Sequence, residues 1–287
     1  MAGTFARSSQ LVRESWHVLK QDKELVWFPI LSIISVVVLI GVFVVPAVWG
    51  ISHAGLAEAV PSDNEQGTPL DYALLFIFYL VTTFVGTFFM TGVISNVTRR
   101  YKGENPTLGE GLRVAKQHLK PIFWWSLVSA TVGVVLKIIQ NRTGLIGRLI
   151  ISFVGFAWGV ITVFVVPVMI LEKVGVNSAI RRSRELFAKT WGENVVGGLT
   201  MGLFFTVLSV PGFIIFSLSI IGMFNPATLV VSIAGLTVAI IYFAILVIIH
   251  STLESIFFTV LYHYAATGTV PSGFSPELVQ GAYKVKK

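Results

Sequence analysis

The chain has 287 residues, of which 54% are apolar and only 12% carry a charge. A soluble domain has about a quarter charged residues, so this composition excludes an ordinary water-soluble protein. The absence of cysteine excludes disulfides, thiolate metal sites and a cysteine nucleophile.

Six apolar stretches are long enough to cross a bilayer, whose hydrocarbon core requires about twenty residues of helix. We predict spans near residues 26–51, 72–97, 122–139, 145–171, 195–223 and 229–253. Pro46, Pro167 and Pro211 fall within these spans and are candidate kinks, because proline removes a backbone donor and clashes with the preceding turn. The polar connections are too short to form a soluble domain, so we expect a single membrane domain over residues 1–287.

The positive charges lie almost entirely on one side of the predicted spans. Of the 21 Lys and Arg residues, 18 fall in the N-terminal segment, the second and fourth connections and the C-terminal tail. The other side has only Lys137, Arg142 and Arg148. This asymmetry follows the positive-inside rule and predicts a multi-pass protein with both termini in the cytoplasm. The net charge of +7 therefore marks topology, and we expect no nucleic-acid partner.

Three basic segments on the predicted cytoplasmic side, near residues 5–20, 106–120 and 177–191, share an amphipathic pattern. A stripe of apolar residues beside Lys and Arg is typical of a helix lying in the headgroup region. We therefore predict an all-α membrane protein with six transmembrane helices as three hairpins, each preceded by an amphipathic interfacial helix. The alternative is that these are ordinary basic connections without a repeat. The apolar stripes consist of Val12, Trp16 and Leu19, of Leu108, Leu112, Ala115 and Leu119, and of Ile180, Phe187 and Trp191.

Small and hydroxyl residues line one face of several spans, for example Ser126, Ala130 and Gly133 in the third. Small residues allow helices to pack closely in lipid. Because Ser and Thr hydroxyls can bond to their own helix backbone, such a face requires no water. We interpret these faces as packing surfaces and not as a polar pathway.

The sharpest basic cluster is Arg181, Arg182 and Arg184 with Trp191, in the third of the basic segments. Each Lys or Arg near an anionic membrane surface adds about 1 kcal/mol of attraction. We hypothesise that this cluster binds anionic lipid or a protein partner at the cytoplasmic face. The alternative is that the charges only set topology. Besides the lipid bilayer, a second copy of the chain or another membrane protein is a further class of partner.

His250 and Glu254 lie four residues apart on the last span and hence on one helical face. Ionisable groups within a membrane are functional candidates, which gives the alternative of a small transporter or channel with a polar path through this pair. The structural alternative is that Glu254 pairs with one of the cytoplasmic arginines. The chain contains no HExxH, GxSxG or GxxxxGK[ST] run, so we expect no enzyme, no metal and no cofactor.

Five runs of the sequence resemble a prokaryotic family of six-helix integral membrane proteins classed as a domain of unknown function. The resemblance extends over almost the whole chain. It implies a location in a bacterial or archaeal inner membrane and implies no activity. The runs are DKELVWFP at Asp22–Pro29, SLVSATVG at Ser126–Gly133, FVVPV at Phe164–Val168, IRRSRELFAKTWGEN at Ile180–Asn194 and HYAATGTVPSGF at His263–Phe274.

Overall fold

A computed structural model describes Trp16, Leu19, Lys20, residues 22–53 and residues 69–268, with the backbone alone at 43–53, 70 and 190–200. The structure within these ranges is helical and contains no strand. A 3-10 turn at Lys23–Val26 precedes the first long helix. The helices are α1 (Trp27–His53), α2 (Pro69–Tyr101), α3 (Leu108–Gln117), α4 (Leu119–Asn141), α5 (Leu145–Thr162), α6 (Val165–Leu171), α7 (Val176–Gly222) and α8 (Leu229–Thr267).

Six stretches of the described chain are long and apolar enough to cross a membrane. The prediction of a helical chain with six helices able to span a membrane is therefore confirmed for the part of the chain that the structure describes. Many large apolar side chains on these helices are exposed, such as Phe153 at 74% and Val207 at 69%, as expected of helices that face lipid. The stretches are Lys23–Val42, Asp71–Tyr101, Leu119–Asn141, Leu145–Leu171, Met201–Gly222 and Leu229–Thr267.

The chain divides into two compact units. The terminal unit consists of Met1–Val26, Val97–Glu104 and Lys189–Lys287, and the central unit consists of Trp27–Asn96 and Asn105–Ala188. Helices α2 and α7 each continue from one unit into the other. The expectation of a single membrane domain over residues 1–287 stays a prediction.

In the terminal unit, α8 packs against the later part of α7. A Cβ at Gly212 would lie 2.7 Å from the ring of Tyr242, so the glycine allows the two helices to approach closely. The Tyr242 hydroxyl donates to the carbonyl of Leu208, three residues before Pro211 in the sequence. The predicted kink site at Pro211 is an internal position of a helix that continues on both sides.

In the central unit, α4 and α5 run in opposite directions. The rings of Trp125 and Trp158 stack with centroids 6.3 Å apart. Toward the other end of the pair, the side-chain amide of Gln140 donates to the Ser152 hydroxyl over 3.2 Å. The arrangement of all six spans as three hairpins stays a prediction.

The predicted packing face of α4 is buried. Ser126 and Ala130 are fully buried, and a Cβ at Gly133 would lie 2.9 Å from the ring of Tyr79 on α2. The Ser126 hydroxyl donates to the Ile122 carbonyl of its own helix. The interpretation of this face as a packing surface is confirmed.

Helix α3 is short, and one of its glycines allows it to pack closely against an aromatic ring. Phe28 is fully buried against Gly92 of α2 and Gly111 of α3, where an added Cβ would collide with its ring. The helix starts with a capping box between Thr107 and Glu110, which satisfies backbone donors that the first turn leaves free. The segment predicted at 106–120 thus contains a separate helix, and its placement in the headgroup region stays a prediction.

The basic segment predicted as a separate helix at 177–191 is instead the beginning of α7, which runs without interruption from Val176 to Gly222. The sequence contains no proline between this segment and the span that follows, and the helix continues through the glycines at this boundary. Among the side chains of this segment that the structure describes, those of Ala179, Ser183 and Leu186 are buried, whereas Ile180 and Phe187 of the predicted stripe are only half-buried. The segment predicted at 5–20 lies almost entirely outside the described residues.

Candidate functional site

The fourth span is broken near its end. Helix α5 ends at Thr162 and α6 begins at Val165, two residues before Pro167. A proline ring clashes with the carbonyl four residues earlier, which here belongs to Val163, so the break falls where the sequence predicted a kink. Backbone groups at such a break lose their helical partners and require others, since an unpaired buried group is costly.

Ser183 of α7 supplies two of those partners. Its hydroxyl donates to the Ile161 carbonyl over 2.6 Å and accepts from the Phe164 N–H over 3.1 Å. Ser183 is fully buried and lies within the run Ala179, Ser183 and Leu186, whose spacing places one face of α7 against the central unit's interior. The first turns of α7 are therefore fixed to the broken span and do not form a free basic helix.

Arg182 adds an ionic contact beside Ser183. Its Nε lies 3.2 Å from Oε1 of Glu172, the residue that follows α6, and its Nη1 lies 3.4 Å from Oε2 of Glu185. The hydrogen bond to Glu172 raises the pKa of Arg182, with further contributions from the charge of Glu172 and from Glu185. Of the three arginines in the predicted cluster, Arg182 thus has a structural role.

The other two arginines differ from Arg182. Arg181 and Arg184 are exposed, and neither forms an ion pair with any residue that the structure describes. They are the members of the predicted cluster that are available to a ligand. Trp191 lies within α7, but its side chain is outside the described residues, so its place in the cluster stays a prediction.

A pocket of about 540 Å³ opens next to the beginning of α7. Lys120 and Trp124 of α4 line it on one side. Lys173 and the first residues of α7, among them Asn177 and Ser178, line it on the other. All of these residues belong to the central unit. The pocket therefore combines two lysines from separate connections with an aromatic wall.

His250 and Glu254 lie together on α8 as predicted. Nδ1 of the histidine is 3.8 Å from Oε2 of the glutamate, and the ring of Phe205 contacts the imidazole with centroids 4.7 Å apart. Both side chains are partly exposed, at 34% and 48%. Across the described ranges, no group of three or more His, Asp or Glu side chains is placed to hold a metal ion.

The comparison with protein families gives a match over residues 70–274 to a family of unknown function, DUF6159. The chain belongs to this family. Comparisons with curated proteins and with solved structures gave no match. The region shared with the family contains the broken span, the basic beginning of α7, the pocket and the His250–Glu254 pair, so each candidate site lies in the part that defines the family.

The sequence indicated some of these residues and missed others. The arginine cluster and His250–Glu254 were visible from local spacing. Lys120 and Lys173 were recognised only as topology charges, because 53 positions separate them in the sequence and no spacing rule connects them. Ser183 was missed as well, since nothing in the local sequence shows that its hydroxyl bonds to backbone groups at the interruption of the fourth span. Family membership adds no activity to any of these residues.

Proposed function

We propose that the protein is a non-enzymatic, multi-pass component of a prokaryotic plasma membrane that binds anionic lipid at its basic face. Both termini lie in the cytoplasm in this proposal, as the placement of 18 of the 21 Lys and Arg residues favours. The proposal depends on a difference between the arginines of the cluster. Arg182 is engaged by Glu172, whereas Arg181 and Arg184 are exposed and have no carboxylate partner in the described chain.

Native mass spectrometry of the protein extracted with its lipid tests this proposal. The double variant Arg181→Gln/Arg184→Gln removes two exposed cations, each worth about 1 kcal/mol near an anionic surface, so retained anionic lipid should fall more than about tenfold. The matched control is Lys137→Gln/Arg142→Gln, which removes two exposed cations from the opposite side of the predicted topology and should leave the bound lipid unchanged.

Two outcomes would contradict lipid binding at this face. A wild-type protein that carries no anionic lipid would reduce the arginines to topology signals, and a co-purifying acidic protein would then favour a protein partner. Equal lipid loss in both double variants would show that net charge alone, and not this face, retains the lipid.

A small transporter or channel is the second candidate, and the close approach of His250 and Glu254 is the observation that favours it. Broken helices at a midplane site are typical of transporters, but at the break in the fourth span the Ile161 carbonyl and the Phe164 N–H are already bonded to Ser183. If transport depends on this pair, Glu254→Gln should abolish proton or cation flux in liposomes. A Glu254→Gln variant with wild-type flux would exclude this role.

A further inference from the structure

The pocket beside α7 has a polar end and an apolar wall. Lys120, Trp124 and Val128 lie at successive intervals of four on α4, and all three line the pocket. Residues at this interval share one helical face. Trp124 is 50% exposed, and it lies within a candidate membrane span. A ligand in the pocket would therefore contact a cation at one end and an aromatic and aliphatic wall along a membrane helix at the other.

The beginning of α7 adds positive potential at the polar end. The first intrahelical bond runs from the Ala179 N–H to the Gly175 carbonyl over 2.9 Å. The N–H groups of the three residues between them therefore have no acceptor within the helix. Two of those residues, Asn177 and Ser178, line the pocket. The N-terminal end of a helix favours an anion in addition to the lysine charges.

The carboxylate next to Lys173 in the sequence, that of Glu172, is paired with another residue and does not compete with a ligand for the lysine. Lys173 has φ +53, a left-handed conformation that glycine usually takes after a helix and that costs another residue about 1 kcal/mol. The adjacent Glu172 is turned to Arg182, whose Nε is 3.2 Å from its Oε1. The carboxylate closest in sequence to the pocket lysine is thus already paired.

We infer that this pocket is the headgroup site of an anionic phospholipid with a terminal phosphate. Lys120, Lys173 and the unbonded N–H groups at the beginning of α7 hold the phosphate, and Trp124 and Val128 contact the first part of an acyl chain. The volume of about 540 Å³ lies within the range of small-molecule sites. The inference rests on the proposed lipid binding at the basic face. To the exposed Arg181 and Arg184 it adds a separate pocket for the headgroup, at the beginning of the same helix, and the headgroup class. A free phosphate would use the cations but not the apolar wall.

The test is a titration of the full-length protein in neutral detergent with dioleoyl phosphatidic acid, followed by native mass spectrometry. The double variant Lys120→Gln/Lys173→Gln should bind this lipid more than about tenfold more weakly than wild type. The control, Arg113→Gln/Lys116→Gln, removes two exposed cations of α3 that do not line the pocket and should change binding less than twofold. Wild-type binding in the pocket variant, or equal loss in both double variants, would overturn the inference.

Further experiments distinguish binding in the pocket from binding at the arginines, and binding of a lipid from binding of a free anion. If Arg181→Gln/Arg184→Gln loses phosphatidic acid while the pocket variant retains it, the proposed function stands and the pocket assignment fails. Inorganic phosphate or glycerol 3-phosphate that displaces the lipid at equal concentration would also overturn the assignment to a lipid. Phosphatidic acid brominated on its acyl chain should quench tryptophan fluorescence less in Trp124→Phe, and unchanged quenching would contradict the placement of the chain. Thermal melting of each variant checks that it is folded.

Discussion

Two buried serines of the central unit use their hydroxyl groups in different ways. Ser126 in α4 and Ser183 at the beginning of α7 are both fully buried. Ser126 donates over 2.8 Å to the carbonyl one turn earlier in its own helix, a group that the helix backbone also satisfies. Ser183 bonds instead to the Ile161 carbonyl and the Phe164 N–H at the break in the fourth span. Burial alone therefore does not show which hydroxyl stabilises the fold; the partner does.

The largest expected effect comes from Ser183→Ala. It would remove the hydroxyl that bonds to both the buried Phe164 N–H and the part-buried Ile161 carbonyl, and the loss of such a hydrogen bond at a buried group costs about 1–3 kcal/mol. We expect a loss of about 3 kcal/mol in the free energy of unfolding, the upper end of that range. Equilibrium unfolding in mixed micelles, followed by tryptophan fluorescence, measures it, since the Trp125–Trp158 stack lies in the same unit.

Ser126→Ala is the matched control for Ser183→Ala. It makes the same chemical change at the same degree of burial, but it removes only a hydroxyl bond to the same helix, and such bonds add little to helix stability. We expect a change within about 0.5 kcal/mol. Equal losses in the two alanine variants would show that the break does not depend on Ser183 and would remove the distinction between the two sites.

The contrast also shows how far the sequence determines the structure. The six spans follow from composition and length, because a bilayer requires long apolar helices whatever their neighbours are. The break before Pro167 follows from a local clash. The partner of that break could not be predicted, since Ser183 is 19 positions from Phe164 and resembles any other hydroxyl on a helix. The same limit applies to the pocket, where packing alone brings Lys120 and Lys173 together.

The continuous helix α7 was missed for a different reason. The change from a basic, amphipathic segment to an apolar span suggested two elements with a boundary near residues 191–195. Composition indicates which part of a helix is surrounded by water and which by lipid. The end of a helix is set instead by a helix-breaking residue or by a competing contact. The buried run of Ala179, Ser183 and Leu186 shows that this segment is held by contacts within the central unit. The exposed charges of this segment are therefore attached to a part of α7 that is packed within the central unit.

A small effect is also expected from Arg182, the neighbour of Ser183, and it extends the comparison from a buried hydroxyl contact to a partly exposed ion pair. The Arg182 and Glu172 side chains are 34% and 29% exposed, and pairs in contact with solvent typically contribute less than about 1 kcal/mol. A double-mutant cycle of Arg182→Gln and Glu172→Gln should therefore give a coupling energy below about 1 kcal/mol in the same unfolding assay. A coupling as large as the Ser183→Ala loss would instead make the ion pair the main attachment of α7 to the broken span. The hydroxyl contact would then be secondary, because removing a single charge would release the segment that carries Arg181 and Arg184.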